Sequence, residues 1–107
     1  MATGVLGTYD HTAGAWYALY TVPATTFSVV SLSMCNRSNQ AVNVRVAVST
    51  SSVSPANGEI IEFDTEVLGK GVLERTGIVM DAGKVLLVYS NAAGVSSVAF
   101  GIETSTV

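Results

Sequence analysis

The sequence predicts an all-β fold, an antiparallel β-sandwich or jelly roll of seven to eight strands. Three observations carry that expectation. Val42, Val44, Val46 and Val48 alternate with Asn43, Arg45, Ala47 and Ser49, the period of two that gives a strand one apolar face. Gly, Asn, Pro and Ser clusters recur at intervals of about 8 to 15 residues, the turn spacing of sandwiches. No stretch of about 12 residues carries an apolar stripe at helical period.

Taken in order, residues 1–15 are small, include three glycines and His11, and show no sustained period. They read as an N-terminal arm, leaving residues 16–107 as a single sandwich domain. Residues 16–21 are aromatic and β-branched, and Pro23 stops them. Alternation puts Trp16, Ala18 and Tyr20 on one face and Tyr17, Leu19 and Thr21 on the other. Residues 27–35 follow, with Val30, Leu32 and Met34 inward and Val29, Ser31, Ser33 and Cys35 outward. After a polar turn at 36–40 comes the valine strand at 42–48. An antiparallel hairpin between these two strands is expected, merging their apolar faces into half a core.

Residues 49–58 form a Ser/Thr-rich loop ending in Pro55-Ala56-Asn57-Gly58. Residues 60–65 are a strand with Ile61 and Phe63 on one face and Ile60, Glu62 and Asp64 on the other. Gly69-Lys70-Gly71 is a turn, and residues 72–80 give one or two short extended pieces. Asp81-Ala82-Gly83-Lys84 is a hairpin turn. Residues 85–90 are apolar on both faces and so central in their sheet. A last strand, 95–103, is expected to point Val98, Phe100 and Ile102 inward and Ser97, Ala99, Gly101 and Glu103 outward.

Composition narrows the function. Of 107 residues, 49% are hydrophobic and 12% charged, against roughly 25% charged in an ordinary soluble domain. Seventeen valines and a net charge of −3 exclude a charged disordered chain and a coiled coil. The acidic balance argues against nucleic acid as a partner. No apolar run approaches about 18 residues, so neither a spanning helix nor a membrane partner is expected. Met1-Ala2-Thr3-Gly4-Val5 lacks the basic and apolar regions of a secretory signal, which points to synthesis in a reducing cytoplasm. The single Cys35 makes no internal disulfide, and with the single His11 it makes no zinc site. A domain this small folds with little margin, and its charge-poor surface makes burial against a partner cheap.

Chemically competent constellations are few. Glu62 and Asp64, two apart on one strand, are a same-face carboxylate pair, suited to acid–base work, a hard cation or simply a solvated strand edge. His11 beside Asp10 would be an oriented base if a nucleophile came within hydrogen-bond reach, and is otherwise an exposed arm histidine. Cys35 reads as a small apolar residue. There is no Gly-x-Ser-x-Gly elbow and no phosphate-binding glycine loop, and Asn36-Arg37-Ser38 matches the glycosylation pattern by chance. No catalytic, metal or cofactor residues are assigned, and no cofactor is expected.

The candidate interface comprises Trp16, Tyr17, Tyr20, Ser31, Ser33, Asn43 and Arg45. The three aromatics suit packing at a core or interface, or stacking on a sugar. Arg45 stands on the outer face of the valine strand, with Ser31, Ser33, Asn43 and Ser49 as possible neighbours. Either this is a close-packing contact centred on an arginine, or it is an ordinary β face.

Several pieces occur in a characteristic order: Leu19-Tyr20-Thr21-Val22-Pro23-Ala24, Cys35-Asn36-Arg37-Ser38, the run 42–48, and Ile61-Glu62-Phe63-Asp64-Thr65. Leu73-Glu74-Arg75-Thr76-Gly77-Ile78, Asp81-Ala82-Gly83-Lys84 and Phe100-Gly101-Ile102-Glu103 complete it. Together, over residues 19–103, they resemble small β-structured virion structural proteins of tailed bacteriophages. That resemblance implies a non-enzymatic component of the virion, made in the host cytoplasm. It favours a capsid decoration (cement) protein stabilising the major capsid protein lattice. The same resemblance implies a homo-oligomer, and the local three-fold sites of capsids make a homotrimer the expectation. The alternative is a tail-fibre, neck or receptor-binding module contacting host glycan or another tail protein; a hydrolase is a remote third.

Overall fold

The computed structural model describes residues 3–107. It contains eight strands: β1 (Thr3–Asp10), β2 (Ala15–Thr21), β3 (Thr26–Asn36), β4 (Val42–Ser49), β5 (Ile60–Val67), β6 (Val72–Met80), β7 (Val85–Ser90) and β8 (Val95–Ser105). A 3-10 turn, Asn57–Glu59, lies in the loop before β5. The first sheet runs β1-β8-β3-β6 and the second β2-β7-β4-β5. Every pairing is antiparallel. The pairs β1·β8, β2·β7, β3·β6 and β4·β5 make one long ladder folded over on itself, and β3·β8 and β4·β7 close each sheet. This is a jelly-roll sandwich.

The core forms where alternation predicts it. Val30, Leu32 and Met34 of β3 meet Val42, Val44 and Val46 of β4, with Leu86, Val88, Met80 and Ala99 around them, all buried. Val48 is half-buried at the rim of this cluster. Strand β7 is covered on both faces, as its sequence demands: Leu86 and Val88 enter the main core, while Val85 and Leu87 join Ala47, Trp16, Ala18 and Ile60 outside it.

Four expectations are corrected. The arm expected over residues 1–15 is a strand from Thr3 to Asp10, paired with β8 along its length; residues 1 and 2 lie outside the described residues. The hairpin expected between β3 and β4 does not form, because the two strands belong to opposite sheets. Their apolar faces still meet, across the sandwich rather than along one sheet. Asn36 makes the crossing possible. Fully buried, its Nδ2 donates to the carbonyls of Gln40 (2.7 Å), Val67 and Leu68 (both 3.2 Å), and its Oδ1 accepts from Ser38 N and Oγ. The Asn36 side chain ties the 36–40 turn to the end of β5, while the ladders of β3 and β4 are filled by β6 and β8 and by β5 and β7.

Strand β8 is inverted relative to its apolar pattern. Ser97 and Ala99 are buried, whereas Phe100 and Ile102 lie outside. At Gly101 the strand has no room for a side chain: a Cβ there would stand 2.1 Å from the Val29 carbonyl oxygen. Lastly, β5 breaks its alternation. Arg45 of β4 faces two residues, Phe63 and Asp64, between the Val44–Thr65 and Val46–Glu62 pairs, and Asp64 adopts a φ of 50°. This bulge turns Phe63 outward and parts Glu62 from Asp64.

Candidate functional site

Two outer faces and one buried pair emerge. On the first sheet, cross-strand register builds a continuous apolar block: Thr3, Ile102, Val29 and Val79 form one row, and Val5, Phe100 and Ser31 the next. Val5, Ile102 and Val79 are 66%, 55% and 71% exposed, and Phe27 on β3 extends the block. No member carries a charge. The inversion of β8 creates this surface by sending two large side chains out where alternation expected them in.

The outer face of the second sheet differs in chemistry. Trp16 on β2, Tyr89 on β7, Arg45 on β4 and Phe63 on β5 follow the strand order, one per strand. The Arg45 guanidinium is sandwiched, its carbon 4.4 Å from the Phe63 ring centre and 4.5 Å from that of Tyr89. Trp16 leans on Tyr89, ring centres 5.5 Å apart at 49°. Asp64 holds the guanidinium from the side, accepting from Nε at 2.6 Å and Nη2 at 3.3 Å, and this contact raises the Arg45 pKa further. Beyond Phe63 lies a shallow hollow of about 370 Å³ lined by Asn57, Ile60 and Phe63.

His11 is not exposed. Only 3% accessible, it places Nε2 2.6 Å from Ser97 Oγ, while the Tyr9 ring meets it edge-on. Burial lowers its pKa to about 4, against a smaller opposing pull from Asp10. The spacing is that of a base and a hydroxyl, yet Ser97 is wholly buried, and His11 Nδ1 has no partner among the described residues. Asp10, the carboxylate that might have oriented the ring, bonds to Arg37 instead. The pair therefore reads as a polar rivet between the end of β1 and β8.

The remaining predicted residues scatter. Tyr20, expected beside Trp16, is inside. A bulge between Ala18 and Tyr20 reverses the alternation, leaving Tyr20 8% exposed, so it is no surface residue. Its hydroxyl donates to Glu103 Oε2 at 2.5 Å and pairs with Ser28 Oγ at 2.7 Å. Burial first, then the Glu103 carboxylate, push its pKa up to about 12. Tyr17 stacks face to face on Tyr9, centres 3.6 Å apart, closing the β1/β2 side of the sandwich. Arg75 closes the opposite side by donating to Glu62 at 2.6 Å, from the edge of one sheet to the edge of the other.

Ser31 and Ser33 are on the first sheet's outer face, whereas Arg45 is on the second's, so the neighbourhood expected around Arg45 does not assemble. Asn43, beside Arg45 on β4, is tied to the next loop through Asn91: its N–H donates to Asn91 Oδ1 at 2.9 Å. Sequence reasoning missed Tyr89 and Phe63 as partners of Arg45. It had no signal for Phe63, whose direction depends on the bulge, but Tyr89 alternates with Leu87 and Val85 on a strand already recognised as two-faced.

No known protein family, no curated protein and no solved structure matches the chain.

Proposed function

We propose that this chain is a non-enzymatic structural protein of a bacteriophage virion, a capsid decoration protein that reinforces the lattice of the major capsid protein. The observation that carries the reading is the uncharged apolar block on the first sheet: Val5, Val29, Val79, Phe100 and Ile102 held on rigid strands. Contiguous apolar surface of this kind on a small domain marks a protein contact. Repeated docking of a small chain on a lattice gains stability by multivalency without any disulfide, which suits a chain with one cysteine. An uncharged apolar block also suits contact between copies in a symmetric oligomer, of which a trimer fits a three-fold lattice site.

Particles assembled without the chain test the reading. They are expected to form, and to release their DNA at a lower temperature than complete particles. Equal thermal release with and without the chain would contradict a reinforcing role.

A further inference from the structure

We propose, independently of the virion reading, that the outer face of the second sheet is a binding site for a neutral carbohydrate chain, laid across the row Trp16–Tyr89–Arg45–Phe63. A sugar ring presents apolar C–H faces and a rim of hydroxyls, so it needs aromatic surface flanked by donors and acceptors. The row supplies both. Register places Trp16 opposite Tyr89, and Tyr89 opposite Arg45, so the side chains succeed one another strand by strand. Three strand intervals at ~4.8 Å give a straight track of about 14 Å, the span of a short oligosaccharide. Phe63 is 61% exposed at one end and Trp16 half-buried at the other. Between them, Arg45 keeps N–H donors that Asp64 does not use, since a guanidinium has five and Asp64 takes two. Asn57 adds an amide at the hollow beside Phe63.

Charge selects the class of occupant. Asp64 neutralises Arg45, so the row offers no net charge to a polyanion such as nucleic acid or a sulfated glycan. The contrast with the first sheet separates sugar from protein: the apolar block there is built of Val, Ile and Phe side chains with no charged member, whereas this row sets an arginine, paired with a carboxylate, among its rings. The β5 bulge assembles the row, with Asp64 at a left-handed φ of 50°. Here it brings Phe63 and Asp64 together around Arg45.

The test is affinity electrophoresis of the intact protein in gels carrying dextran, a galactomannan or a soluble β-glucan, with dextran sulfate as the anionic control. Retardation is expected in at least one neutral gel and weaker in dextran sulfate. Phe63→Ala and Trp16→Ala are expected to raise the apparent Kd about tenfold, while Val79→Lys on the opposite face leaves it unchanged. Trp16 is the only tryptophan, so its fluorescence in the unaltered chain must shift on titration with the retarding polysaccharide, whether or not the variants fold. No retardation in any neutral gel overturns the proposal. So does stronger retardation by dextran sulfate, a silent Trp16, or a face that captures a protein and no glycan. Loss of retardation with Val79→Lys would move the site to the first sheet and equally overturn it.

Discussion

His11 and Ser97 stand 86 positions apart in the sequence and 2.6 Å apart in the fold. Nothing local to His11 announces this, because its burial is decided by a strand at the other end of the chain. The consequence is measurable. In the unfolded chain the imidazole titrates near its ordinary 6.5, whereas in the fold burial holds it to about 4. Between those values the unfolded state binds the extra proton, so stability is complete above pH 6.5 and declines as the pH falls towards 4. A shift of this size corresponds to at most about 3 kcal/mol, and solvent around exposed Thr12 and Ala13 reduces it to roughly 2. Urea midpoints measured from pH 7 to 4.5 are expected to fall accordingly, and a His11→Gln variant to lose most of that slope; an unchanged slope would show that His11 is not buried neutral. Gly101 makes a second residue-scale case. The Val29 carbonyl leaves no space for a methyl group, so Gly101→Ala is expected to destabilise by about 2 kcal/mol or more in chemical denaturation.

At the scale of elements, what was legible is what depends on near neighbours along the chain. Val42, Val44 and Val46 alternate into the core as their spacing requires, and Val44→Ala is expected to cost about 2 to 3 kcal/mol through the cavity it leaves. Strand β7 announced its two-sided burial by lacking a polar face. What depends on partners was not legible. The β3–β4 connection looked like a hairpin because five polar residues suffice for one; the buried amide of Asn36 carries the chain to the opposite sheet instead. Replacing it with alanine removes the donor to three carbonyls and the acceptor for Ser38. Asn36→Ala is therefore expected to cost about 3 kcal/mol, and to raise hydrogen exchange around residues 67–71 as well as 36–40. Strand β8 shows the limit most clearly. Its alternation is real, but Phe100 and Ile102 face outward, and the inner positions between Val95 and Glu103 are the small residues Ser97, Ala99 and Gly101. A local pattern that conflicts with the fold in this way is expected where a surface has a use beyond folding.

At the scale of the molecule, the sandwich separates two surfaces with different chemistry: an uncharged Val, Ile and Phe block on the first sheet, and an aromatic row around a paired arginine on the second. The number of strands was readable from turn spacing, whereas their order was not, since a jelly roll pairs the ends of the chain before the middle. The separation has a direct consequence for mutation. Val79→Lys and Ile102→Lys alter exposed side chains, so thermal stability is expected to stay within about 0.5 kcal/mol while association with copies or with the particle is lost. The most direct measurement is the imaging of intact virions at a resolution that locates this chain. Hundreds of copies are expected on the capsid exterior, with Val29, Val79 and Ile102 covered by a neighbouring subunit. A handful of copies at the tail or neck, or copies on the capsid with that face bare to solvent, would contradict it.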